Sequence, residues 1–208
     1  MTARIGGAPL PLPLTPSQTV GPFFHDCLLR DGACVDLLVT AATEGVRVRI
    51  EGRVLDGDGR GVPDAMLELW QANHHGRYNH PADTRPLPID PSFSGYGRVA
   101  TDEDGHFGFT TVKHGRVPFD AGRDQAPHIS VAVFGRGLLN HLLTRVYFDD
   151  ESSNSDDPVL LRVPSERRST LVARRVRESE AVVYHFDIVL QGTGETVFFD
   201  FVASAPDR

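Results

Sequence analysis

Apolar and polar residues alternate along most of the chain from Val46 onward. The alternation has a period of two, in which successive side chains face opposite sides of a strand. Seven stretches show it: VRVRIEGRVLD, AMLELWQA, HFGFTTV, HISVAVF, LLTRVYFDD, AVVYHFDIVLQG and TVFFDF. The pattern predicts at least seven short strands, each with one buried face.

Turn-forming residues separate several of these stretches. Segments 56–63 (DGDGRGVP) and 101–107 (TDEDGHF) contain Asp-Gly pairs, which supply the positive φ of tight turns. Short strands joined by such turns favour an all-β fold, specifically an antiparallel β-sandwich with long irregular loops. The carboxylates before Gly59 and Gly105 also suggest that these segments could be calcium-binding loops. No spaced ligands or terminal glutamate follow them, so turns are the better interpretation.

Three segments depart from the strand pattern. Residues 165–176 (SERRSTLVARRV) are expected to form one short connecting helix. Residues 74–97 are rich in Pro, Asp, His and Gly and show no period, which is typical of a functional or interface loop. Residues 1–45 begin with four prolines before Gln18. We therefore expect an extended N-terminal arm that lies on another chain, followed by one domain at 46–208.

Composition narrows the possible partners. The 208 residues include 21 basic and 28 acidic side chains, and the net charge of −7 disfavours nucleic acid and anionic membranes. Two cysteines, Cys27 and Cys34, do not make a disulfide scaffold, which fits a reducing cytoplasm. No stretch approaches the length of a membrane span.

Candidate chemistry is sparse when the residues are taken alone. Nine histidines suggest a metal, but His74 and His75 are adjacent, and successive side chains of an extended chain face opposite sides. We therefore expect most histidines to be polar loop residues. The sequence contains no Gly-x-Ser-x-Gly motif, no catalytic cysteine pattern and no Gly-rich phosphate loop.

Longer motifs point to a family. The sequence resembles the intradiol ring-cleavage dioxygenases in TPSQTVGPFF, IEGRVLDGDGRGVPDAMLELWQANHHGRYNH, GYGRVATDEDGHFGFTTVKHGRV, APHISVAVFGRGLLNHLLTRVYFDDE and GETVFFDF. These motifs occur in the family's order, and the resemblance extends from Thr15 to Phe201. It implies an enzyme that uses Fe(III) to open a catecholic ring with O2.

The resemblance also implies a decayed metal site in this chain. Family members hold Fe(III) with two tyrosines and two histidines, since phenolate and imidazole suit a hard ferric ion. The four positions fall on Tyr78, Val117, His128 and Ser130. Valine has no donor atom and a serine hydroxyl is a poor ligand, so no metal is expected here and Tyr78 and His128 would be structural. An arginine of the metal-bearing members falls on Gln125.

Loss of two ligands is the pattern of the two-chain members, in which a homologous partner chain keeps the Fe(III). The complex would cleave protocatechuate with O2 to 3-carboxy-cis,cis-muconate, and this chain would be inactive alone. Its own part would be a wall of the partner's pocket, formed by Thr19, Gly21 and Pro22 of the arm and by Arg136. Arg136 would bind the substrate carboxylate or form an interchain salt bridge, and the arm would line the pocket or only pack.

Two other classes of protein share some of these features. The segments VLDGDGRGVPDA and TDEDGHF also resemble carboxypeptidase-regulatory and prealbumin-like modules, so a non-catalytic β-sandwich binding module is the alternative. Such modules lack the arm and the LELWQAN…GRY motif. A self-sufficient catechol-cleaving homodimer would need four intact ligands and usually carries a helical N-terminal linker domain.

Overall fold

A computed structural model describes residues 15–21, 23–30, 32–120, 122–177 and 182–200. This part of the chain forms one short α-helix, α1 Phe23–Leu28, and eleven strands. The strands are β1 Arg47–Leu55, β2 Met66–Trp70, β3 Tyr96–Ala100, β4 His106–Val112, β5 Val117–Asp120, β6 Arg123–Gln125, β7 His128–Phe134, β8 Leu142–Phe148, β9 Val172–Arg177, β10 Val182–His185 and β11 Ile188–Val189. Three 3-10 helices connect β8 to β9, at Ser152–Asp156, Leu160–Arg162 and Ser165–Leu171.

Nine of these strands form one large mixed sheet that is nearly closed, like a barrel. Its strand order is β11, β1, β10, β9, β8, β7, β2 and β3, with β4 paired to β1. Strand β1 runs parallel to β10 and β11, and β8 runs parallel to β9, whereas the other pairs are antiparallel. The all-β prediction is confirmed, but the pairing is mixed. Parallel neighbours need long crossover connections, and the 3-10 helices between β8 and β9 provide one.

The end of the predicted arm closes the gap between β3 and β4. Val35 exchanges two backbone hydrogen bonds with Arg98 of β3, at 2.7 and 3.1 Å, and Leu38 donates its N–H to the carbonyl of Thr110 in β4 at 2.9 Å. The side chain of Leu38 is buried in the core. Residues 35–39, which the sequence pattern assigns to the arm, therefore take part in the sheet.

The arm is also not extended throughout. It includes α1, which the sequence pattern did not predict. The predicted helix at 165–176 is wrong beyond Leu171, because the chain turns there into β9. The stretch TVFFDF forms an isolated bridge between Phe199 and Leu143 within the described residues, rather than a strand.

Both Asp-Gly segments form turns, as predicted. Gly59 and Gly105 have φ of 78° and 79°, in the left-handed region that favours glycine. The Oδ1 atoms of Asp56 and Asp102 accept backbone N–H groups two residues further on, at 2.9 and 3.0 Å. These aspartates serve the turns, which leaves no support for a calcium loop.

One apolar core fills the interior of the sheet, and a smaller cluster lies outside it. The main core includes Ile50, Leu67, Phe109, Ile129 and Phe148. The smaller cluster packs the 3-10 helices against the sheet and consists of Ala126, Tyr147, Leu160, Val163 and Leu171. The head of β7 is thereby held between two apolar clusters. In the described part of the chain, no helix has the length and apolar character needed to span a bilayer.

Candidate functional site

The four positions assigned to the decayed metal site gather on one face of the sheet. Tyr78 and Val117 line an open cleft of about 600 Å³, which we call the Tyr78 cleft, and Trp70 of β2 forms part of its wall. Ser130 lies beside Trp70 in the register of β2 and β7. His128, two residues earlier on β7, shares the face of Ser130 but is buried. The tertiary structure therefore brings the four positions together.

Tyr78 is held as a neutral phenol. Its ring stacks on the indole of Trp70, with centroids 5.8 Å apart and planes 12° from parallel. Its backbone N–H donates to Oδ2 of Asp83 at 2.8 Å. Burial raises the pKa of the Tyr78 hydroxyl. Without a metal, Tyr78 is therefore a protonated phenol at neutral pH.

His128 is held as a neutral imidazole. Its Nδ1 lies 2.8 Å from the carbonyl oxygen of Ala126, which can only accept, so Nδ1 carries the proton. Burial lowers the pKa of His128 well below its usual value, and the nearby charge of Arg145 lowers it further. The ring packs between those of His114 and Tyr147, at centroid distances of 5.5 and 5.7 Å. These contacts describe a structural histidine.

His114 fixes the backbone of β7 from the other side. Its Nδ1 lies 2.5 Å from the carbonyl oxygen of Gly115, and its Nε2 contacts both the backbone N–H of His128, at 2.5 Å, and the carbonyl oxygen of His128. Burial lowers the pKa of His114, which keeps the imidazole neutral. The first residues of β7 are therefore held in place by two uncharged histidines.

A guanidinium reaches the same region from β8, which sequence reasoning missed. Arg145 lies opposite Ser130 in the register of β7 and β8. Its Nη1 donates to Oε1 of Gln125 at 2.8 Å and to the hydroxyl of Tyr147 at 3.2 Å. Gln125 stands where metal-bearing relatives are expected to have an arginine. In this chain, Arg145 of β8 places a positive charge in the same region instead. The sequence offered only an arginine inside the predicted strand LLTRVYF, and its position opposite Ser130 depends on strand register.

A buried carboxylate anchors this network. The hydroxyl of Tyr147 donates to Oδ1 of Asp157 at 3.0 Å, and Asp157 is fully buried. Asp157 also accepts the backbone N–H groups of Ala126 at 2.8 Å, Val159 at 2.9 Å and Leu160 at 2.6 Å. One side chain thus ties the loop before β7 to the connection that follows β8.

These observations show that the four positions do not fit Fe(III). Val117 offers no donor, and the hydroxyl of Ser130 is a weak one. Tyr78 and His128 keep their donor atoms, and the Nδ1–H of His128 bonds a backbone carbonyl, as it does in many metal-ligating histidines. The set of four is therefore short of two donors, Val117 and Ser130 being the positions that lack them.

The residues expected to form a pocket wall meet at a second depression, the arm cleft. Thr19, Gly21 and Arg136 line about 470 Å³ together with Val20, Phe24, His25 and Asp64. The hydroxyl of Thr19 accepts the backbone N–H of Gly137 at 2.7 Å, which holds the arm against the turn after β7. Pro22 was also predicted for this wall but lies outside the described residues.

Arg136 is engaged by an acidic residue that sequence reasoning missed. Its Nη2 donates to Oδ2 of Asp64 at 2.7 Å, and His25 lies 3.8 Å from the other carboxylate oxygen. The side chains of Arg136 and Asp64 are 68% and 44% exposed. An ion pair this exposed contributes only about 0–1 kcal/mol, so a different carboxylate can replace Asp64 at little cost.

The backbone of Asp64 is itself unusual. Its φ of 59° lies in the left-handed region, and in the described chain it is the one non-glycine residue with positive φ. Asp and Asn adopt this conformation at a cost of about 1–2 kcal/mol. Asp is one of the few residues besides glycine that adopt it, and here the carboxylate of Asp64 lies 2.7 Å from the guanidinium of Arg136.

Comparison with known proteins agrees with this geometry. The family model described as Dioxygenase matches residues 21–192, which is most of the chain. The chain belongs to the intradiol ring-cleavage dioxygenase family. Within it, the chain is 46% identical to the protocatechuate 3,4-dioxygenase alpha chain of Burkholderia cepacia, over 89% of this chain and 96% of that one.

A second relative and a solved structure extend the comparison. The protocatechuate 3,4-dioxygenase beta chain of Burkholderia cepacia is 34% identical, over 88% of this chain and 78% of that one. The structure of the dioxygenase domain of a dioxygenase carbohydrate-binding protein fusion from Streptomyces sp. SirexAA-E superposes with a TM-score of 0.60 at 27% identity. That comparison covers 86% of this chain and 98% of the other.

Proposed function

We propose that this chain is the metal-free alpha subunit of an Fe(III) intradiol dioxygenase that cleaves protocatechuate with O2 to 3-carboxy-cis,cis-muconate, in the cytoplasm. A homologous beta chain would hold the iron. The bond broken lies between the two hydroxylated ring carbons, and both oxygen atoms of O2 enter the product. The alpha chain's own task would be to shape one wall of the partner's pocket.

The state of the decayed metal site carries this proposal. Two of the four ligand positions, Val117 and Ser130, offer no adequate donor, so only Tyr78 and His128 could hold an ion. Such a pair would not hold Fe(III) at useful affinity. The similarity to both an alpha and a beta chain supports a division of labour between two homologous subunits.

The arm cleft supports a role beside the partner's substrate. The backbone of Gly21 faces open space, since a Cβ built there meets nothing within 4 Å, so another molecule can reach it. Arg136 is mostly exposed and its ion pair is weak, so it is available to a carboxylate from outside the chain. Protocatechuate carries such a carboxylate.

Exposed apolar residues near the arm support a partner chain on this face. Phe23 in α1 is 75% exposed, while the adjacent Phe24 packs 6.1 Å from Phe134 of β7. Leu139, three residues after Arg136, is 62% exposed. Large apolar side chains exposed beside a polar cleft are typical of a subunit interface.

The alternative functions have less support. A non-catalytic regulatory or prealbumin-like module does not account for a family match over residues 21–192. A self-sufficient dioxygenase does not account for Val117 and Ser130 at two ligand positions. The free, exposed cysteines Cys27 and Cys34 agree with the proposed cytoplasmic location.

Purification of the chain with and without a beta chain tests the proposal. The chain alone is expected to be colourless, to contain no stoichiometric iron and to show no turnover of protocatechuate. Co-expression with a beta chain is expected to give the red colour of tyrosinate bound to Fe(III), one iron for each pair of chains, and O2 consumption.

Two measurements make the result decisive. Iron is quantified by metal analysis of both preparations, and product is followed by ultraviolet absorbance. Red colour or turnover by the lone chain would overturn the proposed division of labour, as would a failure of the two chains to associate.

A further inference from the structure

A second group of possible metal ligands lies away from the decayed metal site. The side chains of Glu44, His74 and His75 each offer a ligand atom, and these three atoms lie within 4.8 Å of one another. The group shares no residue with the Tyr78 cleft or the arm cleft. It contains two imidazoles and one carboxylate, a donor set that suits Zn²⁺.

A tight turn explains how two adjacent histidines converge. Oδ1 of Asn73 accepts the backbone N–H groups of His75 and Arg77, both at 3.0 Å, and the N–H of Gly76 donates to the carbonyl of Asn73 at 2.8 Å. As a result, the ring centroids of His74 and His75 lie 3.7 Å apart. The expectation that adjacent histidines face opposite sides is therefore wrong here, because it assumed an extended chain.

The carboxylate comes from a separate segment that is also fixed. The backbone N–H of Glu44 donates to Oδ2 of Asp90 at 3.0 Å, and the hydroxyl of Thr43 donates to the carbonyl of Ser92 at 3.2 Å. A Cβ on the next residue, Gly45, would come within 2.7 Å of Cβ of His74. Glycine at position 45 thus allows the two segments to approach each other.

One spacing between the ligand atoms is compatible with a shared metal ion. Nε2 of His74 lies 3.4 Å from Oε2 of Glu44. Ligands about 2.0–2.1 Å from a tetrahedral Zn²⁺ are separated by about 3.3–3.5 Å. Nδ1 of His74 is buried, so Nε2 is the nitrogen of this ring that faces the carboxylate.

We propose that Glu44, His74 and His75 bind one Zn²⁺ ion, with water as the fourth ligand. The ion would join the segment that leads into β1 to the long loop after β2. This site would be separate from any iron held by a partner chain. Because it binds the folded state, Zn²⁺ would stabilise the fold.

Zinc titration of the full, untagged chain tests the proposal. After treatment with EDTA, the chain is expected to bind one Zn²⁺ per molecule with roughly micromolar affinity in calorimetry. The melting temperature is expected to rise by roughly 5–10 °C when free zinc is about a hundred times Kd. Co²⁺ in the same site is expected to give the intense visible absorption of tetrahedral coordination.

Matched variants identify the ligands. Glu44→Gln and His75→Ala change exposed residues, so both should fold normally without metal, and each is expected to weaken zinc binding at least tenfold. His80→Ala removes another histidine of the same loop and is expected to leave the affinity unchanged. No binding to the wild-type chain, or equal affinity in all four proteins, would overturn the proposal. Neither result would bear on the dioxygenase function, which has its own test.

Discussion

Asp157→Ala is expected to lower the free energy of unfolding by about 3–5 kcal/mol. The carboxylate of Asp157 is fully buried and accepts one hydroxyl and three backbone N–H groups. Alanine would leave those four donors without partners and open a space beside Tyr147. Each buried donor that loses its acceptor costs about 1–3 kcal/mol, although relaxation of the loops recovers part of this.

The change in stability is measured by chemical denaturation of the isolated chain. Asp156→Ala is the matched control, because Asp156 is the preceding residue, carries the same charge and is exposed. Its stability is expected to change by less than about 0.5 kcal/mol. Asp157→Asn keeps one acceptor oxygen and should fall between the two. A loss below about 1 kcal/mol for Asp157→Ala would mean that the network contributes little to the fold.

Arg136→Ala, in the complex with a beta chain, is expected to raise KM for protocatechuate about 10- to 100-fold. This range follows from the loss of a charge-assisted hydrogen bond to the substrate carboxylate, worth about 1.5–3 kcal/mol. The kcat should change less, because a carboxylate remote from the reacting carbons is bound equally in the ground and transition states. The measurement is steady-state O2 consumption.

Catechol serves as the matched substrate because it lacks the carboxylate. Its KM is expected to change less than about twofold in Arg136→Ala, and equal effects on both substrates would show that Arg136 only packs at the interface. Asp64→Asn gives a second control, since asparagine also adopts the left-handed conformation and leaves Arg136 without its present partner. That variant should keep or lower KM for protocatechuate.

Sequence reasoning succeeded to different degrees for His128 and for the pair His74 and His75. The family motif indicates that His128 has lost its companion ligand at Ser130, and the buried, neutral imidazole agrees with a structural role. The same kind of reasoning failed for His74 and His75, because it took the chain to be extended and so placed their side chains on opposite sides. The Asn73 turn decides their geometry, and that turn depends on where hydrogen bonds form rather than on composition.

Local features of this protein were determined by its sequence alone. Alternation with a period of two indicated five strands of the main sheet correctly, β1, β2, β4, β7 and β8, and the predicted stretch AVVYHFDIVLQG contains two more, β10 and β11. The reason is that facing within a strand depends only on neighbouring residues. The Asp-Gly turns followed from the φ preference of glycine. The family resemblance, with Val117 and Ser130 at two ligand positions, led to the prediction of a lost metal site, because the absence of a donor atom can be read directly from residue identity.

Only the tertiary structure decided which strands are neighbours. Parallel pairing of β1 with β10 and closure of the sheet by Val35 and Leu38 depend on contacts between residues far apart in the chain. Strand register placed Arg145 opposite Ser130, and the turn after β7 met the arm and Asp64 at Arg136. Such contacts form because folding must bury one continuous core and satisfy its backbone groups, conditions that no local pattern expresses.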